Sequence, residues 1–200
     1  MLERRTDELK AIRDEIWDLK ISPLYAERIK NKAFAVIGEG SHFAQMMFIG
    51  EAPGKKEAET GKPFCGASGK VLDELLYEAG IERNLVYITN IVKDRPPGNR
   101  DPTPLEIEIY TPFLERQIDI IQPKVIATLG RFSMNYIMRK FNLTDLIGPI
   151  SKIHGREFEA ISQYGNIKIL PLYHPAVAVY NRTKIDDMKK DFIQLIRYIE

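Results

Sequence analysis

Cysteine is almost missing from this sequence: Cys65 stands alone among 200 residues, beside three histidines and one tryptophan. A single cysteine excludes a disulfide within the chain and any metal site built from several thiolates. No stretch approaches the roughly 18 consecutive apolar residues that a membrane helix needs. The N-terminal segment MLERRTDELKAIRDEIW is too charged for a secretory signal. We therefore expect a cytoplasmic protein with no membrane contact.

The phosphate-binding spacings of nucleotide-binding proteins are missing as well. Residues 50–69 form a glycine-rich loop, but neither GxxxxGK[ST] nor GxGxxG occurs in it. Binding of nucleoside triphosphates is therefore disfavoured, and a small-molecule nucleotide-binding protein is only a remote alternative. The net charge of +1 does not indicate nucleic-acid binding either, so such a role requires a local group of cations.

Apolar strand patterns alternate with helical patterns along the chain. The composition, 44% hydrophobic and 28% charged, is that of a globular protein, and the length predicts a single domain over 1–200 with an N-terminal helix, 1–20, packed on it. The alternation predicts a mainly parallel sheet with helices on both faces. The predicted strands are MMFIG (46–50), LVYIT (85–89), KVIATLG (124–130) and a hairpin of REFEAI and IKILPLY; the predicted helices are 6–19, 70–80, Thr103 to about Gln122, FSMNYIMRKF and a last helix capped by Thr183.

Ligands of such sheets bind beyond the carboxyl ends of the strands, and three side chains lie there. Phe64 is in the loop after the first buried strand, where it is either a stacking surface or a loop hydrophobe folded onto the core. Asn90 directly follows the second strand as either a turn former or a reader of an edge with alternating donors and acceptors. His174 ends a later strand before a proline and is either structural or catalytic.

Charged side chains surround these three positions. The segment KDRPPGNR supplies Lys93, Arg95 and Arg100, which either grip a phosphodiester backbone from a stiff loop or lie on a solvated surface. The acids of the glycine-rich loop either activate water or keep the loop soluble, and their spacing does not decide between the two. These acids are Glu51, Glu57 and Glu59.

Five motifs follow one another along the chain: GEAPG (50–54), TGKPF (60–64), YITNIVKDRPPGNR (87–100), PKVIATLG (123–130) and YHPA (173–176). In this order and at this spacing, they resemble the motifs of family 4 uracil-DNA glycosylases, and the resemblance covers roughly residues 20–200. It implies a three-layer α/β/α sandwich around a short, mainly parallel, four-stranded sheet. It also implies an enzyme that flips uracil out of DNA and hydrolyses its N-glycosidic bond.

The resemblance also implies roles for individual residues. Phe64 would stack on the flipped uracil, Asn90 would read its O4/N3 edge, and His174 would donate to O2. Glu51 and Ala52 would line the same pocket. Glu57 would be a catalytic acid that positions water, so the implied catalytic set is His174, Asn90 and Glu57. The implied DNA contacts are Lys93, Arg95 and Arg100, and the segment from Val177 to Arg182 that wedges into the duplex.

One feature of the resembled family is missing. Its members hold an iron–sulfur cluster on four cysteines, and the matching positions here are Leu19, Ser22, Asp94 and Tyr110. Cluster ligation needs thiolates, so we predict no cluster, no metal and no other cofactor. Packing by Leu19 and Tyr110, and pairing of Asp94 with an arginine, are expected to replace it.

Two functions of different classes follow. The first is a monofunctional uracil-DNA glycosylase that acts on uracil in single- and double-stranded DNA and leaves an abasic site. The second is a non-catalytic or retargeted relative that binds DNA or a lesion without cleaving it. The retained Asn90 and His174 favour the enzyme. A monomer is the default expectation, and the sequence identifies no repair partner.

Overall fold

The computed structural model describes residues 2–198. The strands are β1 (Glu39–Gly40), β2 (Met46–Gly50), β3 (Tyr87–Asn90), β4 (Val125–Leu129), β5 (Phe158–Ser162) and β6 (Gly165–Leu172). The helices are α1 (Leu2–Trp17), α2 (Pro23–Lys30), α3 (Lys55–Thr60), α4 (Ala67–Glu78), α5 (Pro104–Ile121), α6 (Arg131–Lys140), α7 (Ile150–Ile153), α8 (Ala176–Tyr180) and α9 (Ile185–Ile193). No helix in this range is long and apolar enough to cross a membrane.

The strands form one mixed sheet in the order β1-β3-β2-β4-β6-β5. The four central strands, β3, β2, β4 and β6, are parallel, which confirms the mainly parallel α/β prediction. The predicted count of four strands is wrong, because antiparallel β1 and β5 extend the two edges to a 6-stranded sheet. β1 has only 2 residues, too few for a sequence pattern. β5 is the first arm of the predicted hairpin and joins the sheet through β6.

Two hydrophobic cores cover the two faces of the sheet. Successive residues of β2 alternate between them: Met47 and Ile49 pack into the core with α1, α5 and α6, and Met46 and Phe48 pack into the core with α4 and α9. This alternation is the period-2 geometry of a strand buried on both sides. The result is three layers, and Leu9, Ile12 and Ile16 of α1 belong to the core on one face of the sheet.

The start of α5 follows its local sequence signal, whereas the start of α9 does not. Thr103 caps α5 through a capping box with Glu106, as predicted. Thr183 does not cap α9, because it lies in a short 3₁₀ turn before the helix and its own amide donates to the side chain of Asn181. Helix α3 was also not predicted: it lies inside the glycine-rich segment after β2.

Candidate active site

A pocket of about 580 Å³ opens at the carboxyl edge of the parallel strands. It lies where β2 ends at Gly50, β3 ends at Asn90, and the chain leaves β6 toward His174. The pocket therefore lies at the edge of the sheet where the sequence predicts a ligand site. All the residues predicted to be catalytic or to bind uracil line this pocket: Glu51, Ala52, Glu57, Phe64, Asn90 and His174.

Asn90 gives the pocket a buried acceptor without a partner. Its side chain is 1% exposed, and within residues 2–198 no donor reaches its Oδ1. Buried polar atoms almost always have a hydrogen-bond partner, since an unpaired one costs roughly 1–3 kcal/mol. Because Asn90 lines the pocket, its orphaned acceptor is a candidate partner for a donor on a ligand.

Gly50 allows this arrangement through its missing side chain. Gly50 lies beside Asn90 in the parallel register of β2 and β3. A Cβ atom on Gly50 would overlap Asn90 Oδ1 and would lie 2.7 Å from the ring of Phe64. The glycine thus lets the amide and the aromatic ring approach each other at the end of the strand.

His174 is a neutral imidazole in a defined tautomer. Its Nδ1 accepts a hydrogen bond from the Ala176 amide at 3.1 Å, which leaves the proton on Nε2. Burial lowers the pKa of His174 to about 4, and the negative charge of Glu57 opposes this shift. At neutral pH the ring is therefore a neutral Nε2–H donor.

Phe64 forms the apolar floor of the pocket. Its ring centroid lies 5.7 Å from that of His174, and it also belongs to the core beside α4. The two roles considered for Phe64, stacking surface and core hydrophobe, are thus compatible. Its φ of 47° is unusual for a bulky side chain, and backbone conformations of this kind persist only where the surroundings hold them.

Hydrogen bonds on both sides of Phe64 supply that support. Glu57 Oε1 accepts from the amides of Cys65 and Gly66 at 2.9 and 2.7 Å. Arg83 donates to the carbonyl oxygens of Pro63 and Phe64 at 2.8 and 3.3 Å. The carboxylate predicted to position water therefore also holds the loop that carries the aromatic floor.

Glu51 is the acid of the pocket with the most perturbed protonation. Burial, aided by the negative charge of Asp101, raises the pKa of Glu51 to about 7, while Arg131 opposes the shift. Arg131 and Asp101 form an ion pair of 2.7 Å. Titratable groups poised near neutrality in a pocket are typical of active sites.

The predicted DNA-contacting cations do not all reach the surface. The prediction that Lys93 contacts DNA is wrong, because its side chain is 0% exposed and points into the protein. Arg100 lies on the rim of the pocket, but its guanidinium makes bonds of 2.9 and 2.6 Å to Glu106. Arg95 donates to Asn99 at 2.6 Å. Arg182 is exposed and pairs with Glu74 at 2.6 Å.

Two lysines on the rim were missed by the sequence analysis. Lys55 and Lys56 of α3 are exposed and line the pocket. Tyr180, which belongs to the predicted segment from Val177 to Arg182, is 89% exposed and lines the pocket from the end of α8. Val177 belongs to the same helix and packs partly against the core. Helix α3 has no hydrophobic periodicity that would predict it. The only sequence signal that could have placed these lysines at the pocket is their position shortly after the end of a strand.

The four positions that correspond to cluster ligands in the resembled family come together beneath α1 and α2. Tyr110 donates to Asp94 at 2.5 Å and shares a 2.9 Å hydrogen bond with Ser22. Arg28 pairs with Asp94 at 3.1 Å, so the expected arginine partner is present. Leu19 packs against the same core.

These residues do not fit an iron–sulfur cluster. Their donor set is an alcohol, a phenol and one carboxylate, whereas cluster iron is held by thiolates. Both Asp94 oxygens are engaged, one by Tyr110 and one by Arg28. Within residues 2–198, no group of three His, Cys, Asp or Glu side chains is arranged to hold a metal ion.

Comparison with known proteins agrees with the geometry. The model of the Uracil DNA glycosylase superfamily matches residues 37–199. A type-4 uracil-DNA glycosylase of Saccharolobus solfataricus is 45% identical over 93% of this chain and 84% of its own length. One of Sulfurisphaera tokodaii is 43% identical over 93% of this chain and 82% of its own. With matches of this extent, the chain belongs to the uracil DNA glycosylase superfamily.

Proposed function

We propose that this chain is a monofunctional uracil-DNA glycosylase that acts on uracil in single- and double-stranded DNA. The observation that carries the proposal is the buried, unpaired Asn90 Oδ1 at the end of β3. Relatives covering most of the chain are named type-4 uracil-DNA glycosylases, which supports the same activity. DNA is the partner; a cytoplasmic location and a monomeric state stay predictions.

Asn90 and Phe64 recognise the flipped base. Uracil presents an N–H donor at N3 beside a carbonyl acceptor at O4, and a side-chain amide complements this pair. Flipping costs a few kcal/mol, and stacking on an aromatic ring such as Phe64 returns ~1–3 kcal/mol. The N3 proton meets the Asn90 acceptor that has no partner within the described chain.

His174 stabilises the leaving group. When the bond between C1′ and N1 breaks, its electron pair goes to the uracil ring and positive character develops on the sugar. The Nε2–H of His174 donates to uracil O2, where negative charge appears mainly in the transition state. A neutral donor suits this role because it transfers no proton; with a pKa of about 4, His174 stays neutral throughout the physiological range.

Glu51 positions the attacking water. The water oxygen bonds to C1′, and its proton passes to the carboxylate and from there to the departing uracil anion. Glu57 was predicted for this role, but its Oε1 is occupied by two loop amides, so we assign it to the support of Phe64. Glu51 lines the same pocket with a pKa of about 7, near the operating pH at which a base works best.

This assignment predicts the pH dependence of the reaction. Since burial raises the pKa of Glu51 to about 7, the ionised fraction falls as the pH drops below 7, and kcat should fall with it. Glu51→Gln should lower kcat at pH 8 and remove the inflection near 7. Single-turnover rates between about pH 5.5 and 9 test this, and an unchanged inflection in Glu51→Gln would contradict the role of Glu51.

The free energy of unfolding is expected to vary with pH in the opposite direction to kcat. A carboxyl group whose pKa is raised in the folded state binds its proton more tightly there than in the unfolded chain. For Glu51, the free energy of unfolding therefore decreases as the pH rises from its unfolded pKa of 4.5 to about 7. Glu51→Gln should lose this decrease, which thermal unfolding across the same pH range measures.

The reaction needs no iron–sulfur cluster, and we propose that the protein contains none. The hydrogen-bonded oxygens of Ser22, Asp94 and Tyr110 support this proposal. We expect protein purified without oxygen from iron-supplemented cells to contain less than stoichiometric iron and no visible absorption band. A bound cluster would give stoichiometric iron and sulfide with a band that dithionite bleaches.

The activity itself is tested on a labelled oligonucleotide with one uracil. Alkali cleaves the strand where excision leaves an abasic site, so the wild-type protein should produce one cut in both single and double strands. A matched oligonucleotide with thymine at that position and the double variant Asn90→Ala, His174→Ala are the controls. Tight binding of the uracil strand without scission above the double variant would instead indicate a non-catalytic DNA-binding relative.

A further inference from the structure

Lys93 is a buried lysine that the mechanism above does not use. Its side chain is 0% exposed, and among the described residues it forms no ion pair. Burial lowers the pKa of Lys93 well below its ordinary value. Taking a cation out of water without a counter-ion is costly, so hydrogen bonds must compensate for this residue.

Three acceptors surround the Lys93 amino group. Its Nζ donates to Thr89 Oγ1 at 2.7 Å, to the Asn90 carbonyl oxygen at 2.7 Å and to Gln117 Oε1 at 2.6 Å. The Thr89 hydroxyl proton points elsewhere, to the carbonyl of Ile37 at 2.7 Å. Three acceptors match the three N–H donors of an ammonium group.

The bond to the Asn90 carbonyl fixes the peptide group between Asn90 and Ile91. The N–H of Ile91 donates to the carbonyl of Gly50 at 3.0 Å, and the C=O of the same peptide accepts from Lys93. A peptide group held at both its polar ends has a fixed plane. The backbone torsion of Asn90 is thereby set, and with it the direction in which its side chain leaves the strand.

The Asn90 side chain depends on this backbone support. Within residues 2–198, no donor reaches its Oδ1, so its direction toward the pocket relies on the main chain and on close packing against Gly50. We propose that Lys93 is a positioning residue, which acts through the Asn90–Ile91 peptide to aim the Asn90 amide at the base. The proposal rests on the proposed glycosylase function.

A purely structural lysine makes a different prediction. If Lys93 only stabilised the core, its loss would lower the melting temperature and would leave kcat of the folded enzyme unchanged. A misdirected Asn90 instead lowers kcat, because small displacements of positioned groups cost large factors in rate. The affinity for DNA changes little, since Lys93 does not reach the surface.

The experiment compares Lys93→Met, Asn90→Ala and the double variant. Lys93→Met keeps an unbranched side chain of similar length and removes the donors. We expect kcat on a single-stranded uracil oligonucleotide to fall roughly 10- to 100-fold, with KM within about twofold. Because Lys93 acts through Asn90, the double variant should be no slower than Asn90→Ala alone. The proposal would be overturned if the fold-loss of kcat in the double variant equalled the product of the fold-losses in the two single variants.

Two further variants keep the result interpretable. Ile118→Val removes one methylene from the core beside α5 and should lower the melting temperature without a change in kcat. If Lys93→Met does not fold, Gln117→Leu takes its place, because it removes one acceptor of Lys93. Gln117→Leu should lower kcat less than Lys93→Met would, and it should cause no further loss when it is combined with Asn90→Ala. A multiplicative loss there would also overturn the proposal. A wild-type protein that excises no uracil would instead refute the proposed function. The same comparison of single and double variants would then be made with the affinity for uracil in place of kcat.

Discussion

His174→Ala is expected to lower kcat for uracil excision by ~10²–10³, the usual loss when one donor to a developing anion is removed. The loss should appear in kcat rather than in the affinity for DNA, because the charge on uracil O2 develops mainly in the transition state. His174→Gln, which retains an N–H group, should lie between Ala and the wild type. Single-turnover rates at saturating enzyme measure both variants directly.

The protonation of His174 supplies a second readout of the same prediction. With a pKa of about 4, the imidazole stays neutral from pH 8 to 5, so the decline of wild-type activity near pH 7 belongs to Glu51 and should persist in His174→Gln. His42→Ala, a histidine bonded to Thr6 and outside the pocket, is the matched control and should keep full activity. Loss of the pH 7 inflection in His174→Gln would contradict the assigned roles.

Arg28→Met is expected to destabilise the protein by ~3–5 kcal/mol, because it leaves the buried Asp94 carboxylate without its counter-ion. The side chains of both residues are buried, and Arg28 also donates to the carbonyl oxygens of Ile16 and Trp17 at the end of α1. One substitution thus releases α1, α2 and the loop after β3 from one another. Chemical denaturation of the variant and the wild type measures the loss.

The chain offers a matched surface pair for comparison. Arg116 on α5 binds Glu15 on α1 at 2.6 and 2.7 Å, with both side chains about half exposed. Exposed pairs contribute ~0–1 kcal/mol, so Arg116→Met should cost far less than Arg28→Met. Replacing both buried partners, as in Arg28→Met, Asp94→Leu, should recover part of the loss. Equal costs for the two single variants would show that the buried network is not a major support.

Strong periodic segments made most of the fold predictable. β2 matches the predicted MMFIG segment, and α5 begins after its capping box as expected. The misses have physical reasons. β1 pairs through only 2 residues, and α3, KKEAET, has no apolar stripe to reveal it. Edge pairings and short polar helices depend on tertiary contacts that a local pattern does not contain.

The pocket was more predictable than the surface around it. Asn90 and His174 lie at or just beyond strand ends, where the topology of a parallel sheet brings them together. Phe64 lies between α3 and α4, in the segment that follows β2. Lys93 shows the limit of the same reasoning, because a lysine three positions after Asn90 in a charged loop looks like a surface cation. Only the partners of its amino group reveal that it turns inward. The direction of a side chain in an irregular loop follows from packing, which charge and spacing do not determine.

The network of Ser22, Arg28, Asp94 and Tyr110 also affects the expected yield of folded protein and its stability toward oxidation. In the proposed cluster-free protein, this network of side chains forms as soon as the chain folds, without an assembly pathway that delivers iron and sulfide. It presents no thiolates for peroxide to oxidise; the one thiol, Cys65, lies on a different loop, beside Phe64. We therefore expect the yield and melting temperature to be the same from iron-starved and iron-replete cells, and the enzyme to keep its stability in air.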